Sequence, residues 1–152
     1  MAQITDVTEQ YKQNAAPETG ILAFQDGYEM GSHSDEIETA RWLHKTFGGN
    51  LILLKERQKQ GVKTADYLWN DRLWERKGIS SNKYDTVDKR IRKALGQILD
   101  RRGGRILDFS ASGLKMEKIL SYTIKSLKER VQGQTDIIIK QGSTYRVLRA
   151  KK

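Results

Sequence analysis

Apolar residues recur at intervals of three and four in three separate segments of the chain, and this spacing predicts three amphipathic helices. The first apolar stripe runs from Ile37 to Phe47. It follows Ser34, a residue type that often caps the N-terminus of a helix. The predicted helices begin near Ser34, Asp85 and Met116, and glycines end them at Gly48-Gly49, Gly103-Gly104 and Gly133.

Runs of apolar and β-branched residues lie between and after these helices and predict the strands. The stretch "TADYLWNDRLWERKG" predicts a hairpin with a polar turn at Asn70-Asp71 and a second strand from Arg72 to Ile79. The other predicted strands are "NLILLKE", "RILDFS", "TDIIIK" and "TYRVLR", and the last two form a C-terminal hairpin. The order is therefore α-β-β-β-α-β-α-β-β, which predicts an α/β or α+β domain with a mixed sheet flanked by helices.

The first part of the chain shows no such periodicity. Residues 1–20 are polar and contain the only proline, Pro17, so we expect a flexible acidic lead-in. The stretch "GILAFQDGYEMGSH" is expected to add a short strand or clamp, and the folded domain is predicted to span residues 21–152. A chain of 152 residues is long enough for one sizeable core.

Charge is distributed unevenly along the sequence. Residues 1–40 hold one basic and eight acidic residues, whereas residues 41–152 hold 27 basic and 11 acidic residues, a net charge of +16. A domain this basic is expected to bind a polyanion such as nucleic acid, although a solvated lysine-rich surface has the same composition. The chain contains no cysteine, which excludes disulfides and cysteine-based zinc sites, and no apolar run long enough to serve as a membrane anchor.

The central hairpin carries unusual chemistry for strands rich in aromatic residues. Glu75 and Lys77 lie on one face of the second strand because side chains alternate, and Asp66 belongs to the first strand. Two carboxylates on adjacent strands can bind a hard divalent ion such as Mg²⁺, and a neighbouring lysine can orient the water bound to it. The alternative is an exposed hairpin with an ion pair between Glu75 and Lys77.

The D-x(8)-E-x-K spacing of Asp66, Glu75 and Lys77 on the second and third strands of an α-β-β-β-α-β run resembles the motif of the PD-(D/E)xK nucleases. That superfamily has the restriction-endonuclease-like fold. The stretches "EIETARWLHKTFGGN", "KTADYLWNDRLWERK" and "VDKRIRKALGQI" resemble the tRNase toxin domains at the C-termini of contact-dependent growth inhibition (CdiA-type) proteins and related phage or mobile-element toxins. The resemblance spans roughly residues 20–150.

This resemblance implies a PD-(D/E)xK-like core and a metal-dependent endonuclease that cuts RNA, with tRNA favoured over DNA. Asp66 and Glu75 would bind the metal, expected to be Mg²⁺, and Lys77 would act beside them. It further implies action in the bacterial cytoplasm, delivery within a larger secreted toxin or by a phage or mobile element, and an acidic cognate immunity protein. The alternatives are a DNA nuclease of the same fold, a nucleic-acid-binding module with a decayed site, and a barnase-like ribonuclease that needs no metal.

Helical geometry selects one further acid from the first helix. At about 100° per residue, Glu36 falls on the apolar stripe, whereas Glu38 lies on the opposite side. A buried carboxylate is costly unless it is paired or metal-bound, so Glu36 is predicted to join the site. An acid that stabilises the helix dipole fits Glu36 equally well. Arg76, between Glu75 and Lys77, is predicted to point toward the core, where the resembling family has an apolar residue.

Basic residues cluster on and around the second predicted helix, with few acids among them. Such a cluster is predicted to contact phosphates, and a solvated face is the alternative. Gln97, on the same helix, matches a glutamine that some members of the resembling family place near the site, so it joins the nucleic-acid-binding candidates. The basic members are Lys83, Lys89, Arg90, Arg92, Lys93, Arg101 and Arg102.

Overall fold

The computed structural model describes residues 2–55, 65–97 and 103–152, and within these ranges the chain forms eight β-strands and four α-helices. The strands are β1 Gln3–Asp6, β2 Leu22–Phe24, β3 Leu51–Leu53, β4 Tyr67–Trp69, β5 Arg72–Gly78, β6 Gly104–Asp108, β7 Gln134–Gln141 and β8 Thr144–Lys151. The helices are α1 Thr8–Asn14, α2 Ser34–Phe47, α3 Tyr84–Gln97 and α4 Met116–Arg130, with a short 3₁₀-helix at Met30–Ser32.

The eight strands form one mixed sheet in the order β1-β8-β7-β6-β5-β4-β3-β2. The central β5–β6 and β6–β7 pairs and the outer β2–β3 pair are parallel, whereas the remaining pairs are antiparallel. The predicted mixed sheet with flanking helices is therefore confirmed, and from α2 onward the elements follow the predicted order.

Each face of the sheet carries its own apolar core, because alternate residues of the central strands point to opposite sides. Ile106 and Trp74 belong to the cluster that includes Leu43 and Phe47 of α2. Leu107, the next residue of β6, belongs to the cluster that includes apolar residues of α3 and α4. None of the helices in the described ranges has the length and apolar character needed to cross a membrane.

The predicted hairpin is confirmed at its turn. Asn70 and Asp71 have positive φ angles of 49° and 65°, the left-handed conformation of both central residues in a tight type I′ hairpin turn. Two other predicted features lie outside the described residues: the loop "RQKQGVK", and residues 98–102, the last part of the second helix predicted to end at Gly103-Gly104.

Residues 3–14 form β1 and α1, within the stretch for which the sequence predicts a flexible lead-in. β1 pairs antiparallel with β8 along its whole length, with Gln3 opposite Lys151. Val7 is buried, and its N–H donates to the carbonyl of Val147 at 2.8 Å. Residues 3–14 therefore extend the sheet and cover part of it, and the expected strand near "GILAFQ" is present as β2.

Candidate active site

Three elements bring Glu36, Asp66 and Glu75 into one electrostatically coupled cluster, which we call the acid cluster. Glu36 lies in the first turn of α2, Asp66 immediately precedes β4, and Glu75 lies within β5. Asp66 lies within hydrogen-bonding reach of Glu36, and the charges of Glu75 and Glu36 both act on it. The structure thus assembles the three acids that the sequence proposed; their catalytic role remains a prediction.

Backbone hydrogen bonds on both sides hold Asp66, which lies just before β4. Its backbone N–H donates to the carbonyl of Trp74 at 3.0 Å, and its own carbonyl accepts the N–H of Leu54 at 2.9 Å. The Oδ2 atom of Asp66 accepts the N–H of Arg76, two residues further along β5, at 2.8 Å. The carboxyl group is therefore held against the edge of β5, one residue from Glu75.

The surroundings of Asp66 are unfavourable for a negative charge. Burial, the charge of Glu75 and the charge of Glu36 raise the pKa of Asp66 to about 8, although the Arg76 N–H opposes this. A carboxyl group with such a pKa holds a proton at neutral pH unless a cation replaces it. This is an uncommon state for an aspartate and is concentrated in functional sites.

Glu36 is oriented by aromatic neighbours. The hydroxyl of Tyr28 donates to Glu36 Oε2 at 2.8 Å, and the hydroxyl of Tyr67 donates to the Glu36 backbone carbonyl at 2.7 Å. The Nδ1 atom of His33 lies 3.8 Å from Glu36 Oε1. Glu38 is exposed, as the helical wheel predicts, so Glu36 is the acid of α2 that faces the cluster.

Glu75 is 1% exposed and lies opposite Arg105 in the parallel β5–β6 register. The guanidinium of Arg105 donates to the backbone carbonyls of Ala94 and Leu95 at 3.3 and 3.0 Å. Both residues lie in the last described turn of α3. Burial lowers the pKa of Arg105 to about 10, and Glu75 opposes that shift. Arg105 therefore supplies positive charge next to Glu75 and fixes the end of α3 to the sheet.

Lys77 lies two residues after Glu75 and on the same face of β5, as predicted from alternation. It is half-buried and pairs in register with Leu107 of β6. Asp66, Glu75 and Lys77 thus occupy one short section of the β4–β5 pair, although the structure does not test their roles.

Arg76 points toward α2, as predicted, and its charged group is paired inside the protein. Its Nε donates to Thr39 Oγ1 at 2.9 Å, and its Nη2 donates to Asp108 Oδ2 at 3.0 Å. Burial raises the pKa of Asp108, but hydrogen bonds from Ser110, the charge of Lys140 and the bond from Arg76 together lower it. Arg76 therefore ties β5 to α2 and β6, and this departure from the usual motif does not loosen the strand.

Two observations bear on whether the acid cluster could hold the expected divalent cation. Among the described residues, no group of three or more His, Cys, Asp or Glu side chains has the arrangement of a metal site. Asp66 and Glu75 fit as a pair of oxygen ligands, because a divalent cation would neutralise the negative charge that raises the pKa of Asp66. Such an ion would need water and substrate oxygens as its remaining ligands.

The basic residues of α3 divide into two groups. The side chains of Lys89, Arg92 and Lys93 are exposed, as is that of Lys83 before the helix, so these four are accessible to a polyanion. Arg90 differs, because its Nε and Nη2 donate to the carbonyl of Gly78 at 3.2 and 2.8 Å.

Arg90 therefore binds the end of β5 and is half-buried, and its contact with phosphate stays a prediction. Gln97 is the last described residue of α3, and Arg101 and Arg102 lie outside the described residues.

Sequence reasoning missed three contributors to the site: Tyr28, Thr39 and Arg105. Tyr28 follows a glycine in a loop and carries no periodic signal, and Thr39 is an ordinary helix residue. Arg105 had a usable signal, because a basic residue at the start of the apolar run "RILDF" must be buried beside an acid or leave the sheet. Glu75 and Arg105 are both buried because each lies next to the opposite charge of the other.

The comparisons with known proteins support the fold. No family model and no curated protein matches this sequence. A chain of the solved "CdiA-CT/CdiI toxin and immunity complex from Burkholderia pseudomallei" has a similar structure, with a TM-score of 0.56 and 13% sequence identity. The match covers 82% of this chain and 97% of that chain. At this identity the likeness shows that the two chains share a fold.

Proposed function

We propose that this chain is a metal-dependent nuclease toxin that hydrolyses phosphodiester bonds in RNA, with tRNA as the favoured substrate. The observation that carries the proposal is the half-buried Asp66 carboxyl group, on which the charges of both Glu36 and Glu75 act. Holding one buried and two half-buried acids together costs stability, and this cost is understandable at a site that binds a cation and a phosphate.

Each residue has a distinct role in the proposed reaction. Asp66 and Glu75 would hold Mg²⁺, which when bound lowers the pKa of its water and offsets charge on the scissile phosphate. Glu36, fixed by the Tyr28 hydroxyl, would accept a hydrogen bond from a water that approaches Asp66. Lys77 would donate to the phosphate oxygen on which negative charge increases in the transition state.

The charge of the chain and its structural neighbour support the biological part of the proposal. The neighbour belongs to a complex of a toxin with its immunity protein. A net charge of +9, four exposed basic residues on and next to α3 and the acid cluster support a nuclease toxin, because a nuclease must bind nucleic acid. We therefore propose delivery from another cell or by a mobile element, action in the bacterial cytoplasm, and an acidic immunity partner.

A single gel separates this proposal from its alternatives. Purified protein is incubated with total tRNA or with plasmid DNA, in Mg²⁺ or in EDTA, beside an Asp66→Asn variant. We expect discrete tRNA fragments only for the wild type with Mg²⁺. Plasmid cleavage alone would assign a DNA nuclease, and EDTA-resistant RNA cleavage ending in 2′,3′-cyclic phosphates would assign a metal-independent ribonuclease.

One observation favours a second candidate, a nucleic-acid-binding module without activity: no three-ligand metal cluster exists among the described residues. This candidate requires salt-dependent tRNA binding with no cleavage at any Mg²⁺ or Mn²⁺ concentration. Cleavage abolished by Asp66→Asn excludes it.

A further inference from the structure

His33, the residue that precedes α2, lies at the edge of the acid cluster. Its Nδ1 atom is 3.8 Å from Glu36 Oε1, and 23% of its side chain is exposed, so the imidazole is accessible from the solvent. Asp66 and Glu75 would hold a cation and Lys77 would donate a hydrogen bond, so none of these three removes a proton from the attacking water. Histidine is the side chain that most often accepts such a proton at neutral pH.

One ring contact and one backbone hydrogen bond fix the position of His33. Its ring packs on the ring of Tyr28, with centroids 5.4 Å apart, and the Tyr28 hydroxyl donates to Glu36 Oε2 at 2.8 Å. The backbone carbonyl of His33 accepts the N–H of Ile37 at 3.1 Å, in the first turn of α2. Tyr28 therefore holds the imidazole of His33 and the carboxylate of Glu36 side by side.

The two histidines of the chain differ in what their ring nitrogens contact. Within the described ranges, neither ring nitrogen of His33 forms a hydrogen bond with the protein, and its side chain does not cap α2. The Nε2 atom of His44 lies 3.3 Å from the carbonyl oxygen of Gly20. His33 is therefore the histidine that can exchange a proton with a bound water.

The distance between His33 and Glu36 suits one water molecule. At 3.8 Å, Nδ1 and Oε1 are too far apart for a direct hydrogen bond. A water that donates to both atoms at about 2.8 Å separates its two acceptors by roughly 4 Å. Glu36 in turn lies within hydrogen-bonding reach of Asp66. A water held by His33 and Glu36 therefore lies next to the acids that would hold the cation.

We propose that His33 is the general base of the hydrolysis, and that its Nδ1 takes a proton from a water held between Nδ1 and Glu36 Oε1. This inference rests on the proposed function for its substrate. One O–H bond of the water breaks as its oxygen forms a bond to phosphorus. The bond from phosphorus to the leaving oxygen breaks, and the leaving oxygen takes a proton from the solvent. The Glu36 carboxylate stabilises the imidazolium, which then releases its proton to the solvent.

Chemical rescue tests this role in the full-length protein. His33→Ala removes the base and leaves space for an added imidazole. We expect the variant to cleave tRNA in Mg²⁺ at least about 100-fold more slowly than the wild type, the usual size of a general-base contribution. Its dissociation constant for tRNA in EDTA should stay unchanged. Added imidazole should raise the cleavage rate of the variant at least about 10-fold and leave the wild-type rate unchanged.

Pyrazole and two further variants provide the controls. Pyrazole has the size and shape of imidazole but is a far weaker base, so it should fill the same space without restoring cleavage. His33→Gln should be as slow as His33→Ala and should not respond to imidazole, because its side chain occupies the space and accepts no proton. His44→Gln should cleave at the wild-type rate. Melting temperatures of the three variants show whether each one folds.

The tautomer of His33 provides a readout that involves neither metal nor cleavage. Nδ1 can accept a proton only if the neutral ring carries its hydrogen on Nε2. An ¹⁵N spectrum of the metal-free protein, recorded where the ring is neutral and assigned with the two glutamine variants, should therefore show the Nε2–H tautomer for His33. A hydrogen on Nδ1 would overturn the inference, whether or not the protein cuts RNA.

The cleavage assay separates failure of this inference from failure of the nuclease proposal. Wild-type rates in His33→Ala, loss of cleavage that imidazole does not restore, or equal rescue by pyrazole would each refute the role of His33 and leave the nuclease proposal in place. A wild-type protein that cuts no RNA would refute the nuclease proposal, and the general base with it.

Discussion

The Asp66 carboxyl group accepts the backbone N–H of Arg76 at 2.8 Å, and this bond holds a half-buried acid against β5. The same bond aligns Asp66 with Glu75, the residue before Arg76. The side chain of Arg76 anchors this section of β5 from the other face through Thr39 and Asp108. The backbone and side chain of one residue therefore hold the acid cluster in register.

Isosteric substitutions in the cluster should separate chemistry from folding. We expect Asp66→Asn, Glu75→Gln and Lys77→Met each to reduce RNA cleavage at least about 100-fold, because each removes a charge needed near the scissile phosphate. Initial rates on tRNA and melting temperatures would be measured together. Glu38→Gln, on the exposed side of α2, is the matched control and should cleave normally. Full activity in any two of the three variants would contradict the proposed site.

Stability of the metal-free protein should fall as the pH rises toward 8. The pKa of Asp66 is about 8 in the folded protein and 3.8 ordinarily, so between these values the folded state holds a proton that the unfolded state has released. Stability therefore decreases with pH across this window. In EDTA, the free energy of unfolding, measured with urea, should fall less for Asp66→Asn than for the wild type between pH 5 and pH 8. The other titrating groups are the same in both proteins, so the difference reports on Asp66.

Mg²⁺ provides the companion measurement at pH 8. It should raise the melting temperature of the wild type, because the ion binds the folded state, and it should leave Asp66→Asn nearly unchanged. Parallel pH curves for the two proteins, or equal shifts with Mg²⁺, would mean that Asp66 lies in a different electrostatic environment from the one described here.

The sequence predicts correctly the features that depend on neighbouring residues, such as turns and the two faces of a helix. The Asn70-Asp71 turn has the residue types that tolerate positive φ, and the first helical wheel separated Glu36 from Glu38, as the structure does. The pairings missed by the sequence join distant residues. Gln3 lies opposite Lys151, and no periodicity within a four-residue strand reveals a partner at the other end of the chain.

Polar contacts across the core were missed for the same reason. Arg76 meets Thr39 and Asp108, each more than thirty positions away along the sequence. Arg90 belongs to a basic run, but its bond to the carbonyl of Gly78 is a contact that the sequence does not reveal. Charge composition predicts that a surface is basic, whereas the burial of each residue decides which charges reach the solvent.

Removing the N-terminal residues should damage the fold. The hydroxyl of Tyr11 donates to the buried carboxylate of Asp136 at 2.5 Å, beside the pair that Asp136 forms with Arg149. Deletion of residues 2–16 would also expose the unprotected edge of β8. We expect loss of soluble monomer or a large drop in melting temperature. Tyr11→Phe, which removes only the hydroxyl, should lower the free energy of unfolding by about 1–2 kcal/mol. A truncated protein as stable as the full chain would support the predicted flexible lead-in.

The exposed lysines of α3 should bind RNA and the immunity protein alike. Lys89 and Lys93 are exposed, and both partners are expected to be anionic where they touch this helix. Lys89→Glu/Lys93→Glu should weaken tRNA binding and reduce the slope of log K against log salt by about 1.5, because two phosphate contacts are lost. Lys115→Glu/Lys128→Glu changes the charge equally at exposed positions on and before α4 and should have a smaller effect.

The same two variants locate the inhibitor. Each is coexpressed with the product of the adjacent gene, and the association rate and dissociation constant are measured at two salt concentrations. Electrostatic steering predicts that Lys89→Glu/Lys93→Glu slows association at least about 10-fold at low salt, and that this difference shrinks as salt screens the charges. The α4 control variant should associate at nearly the wild-type rate. If Lys89→Glu/Lys93→Glu loses tRNA binding but forms the complex at full affinity, the inhibitor binds a surface other than the one that holds the substrate, and it inhibits without competing for the basic face.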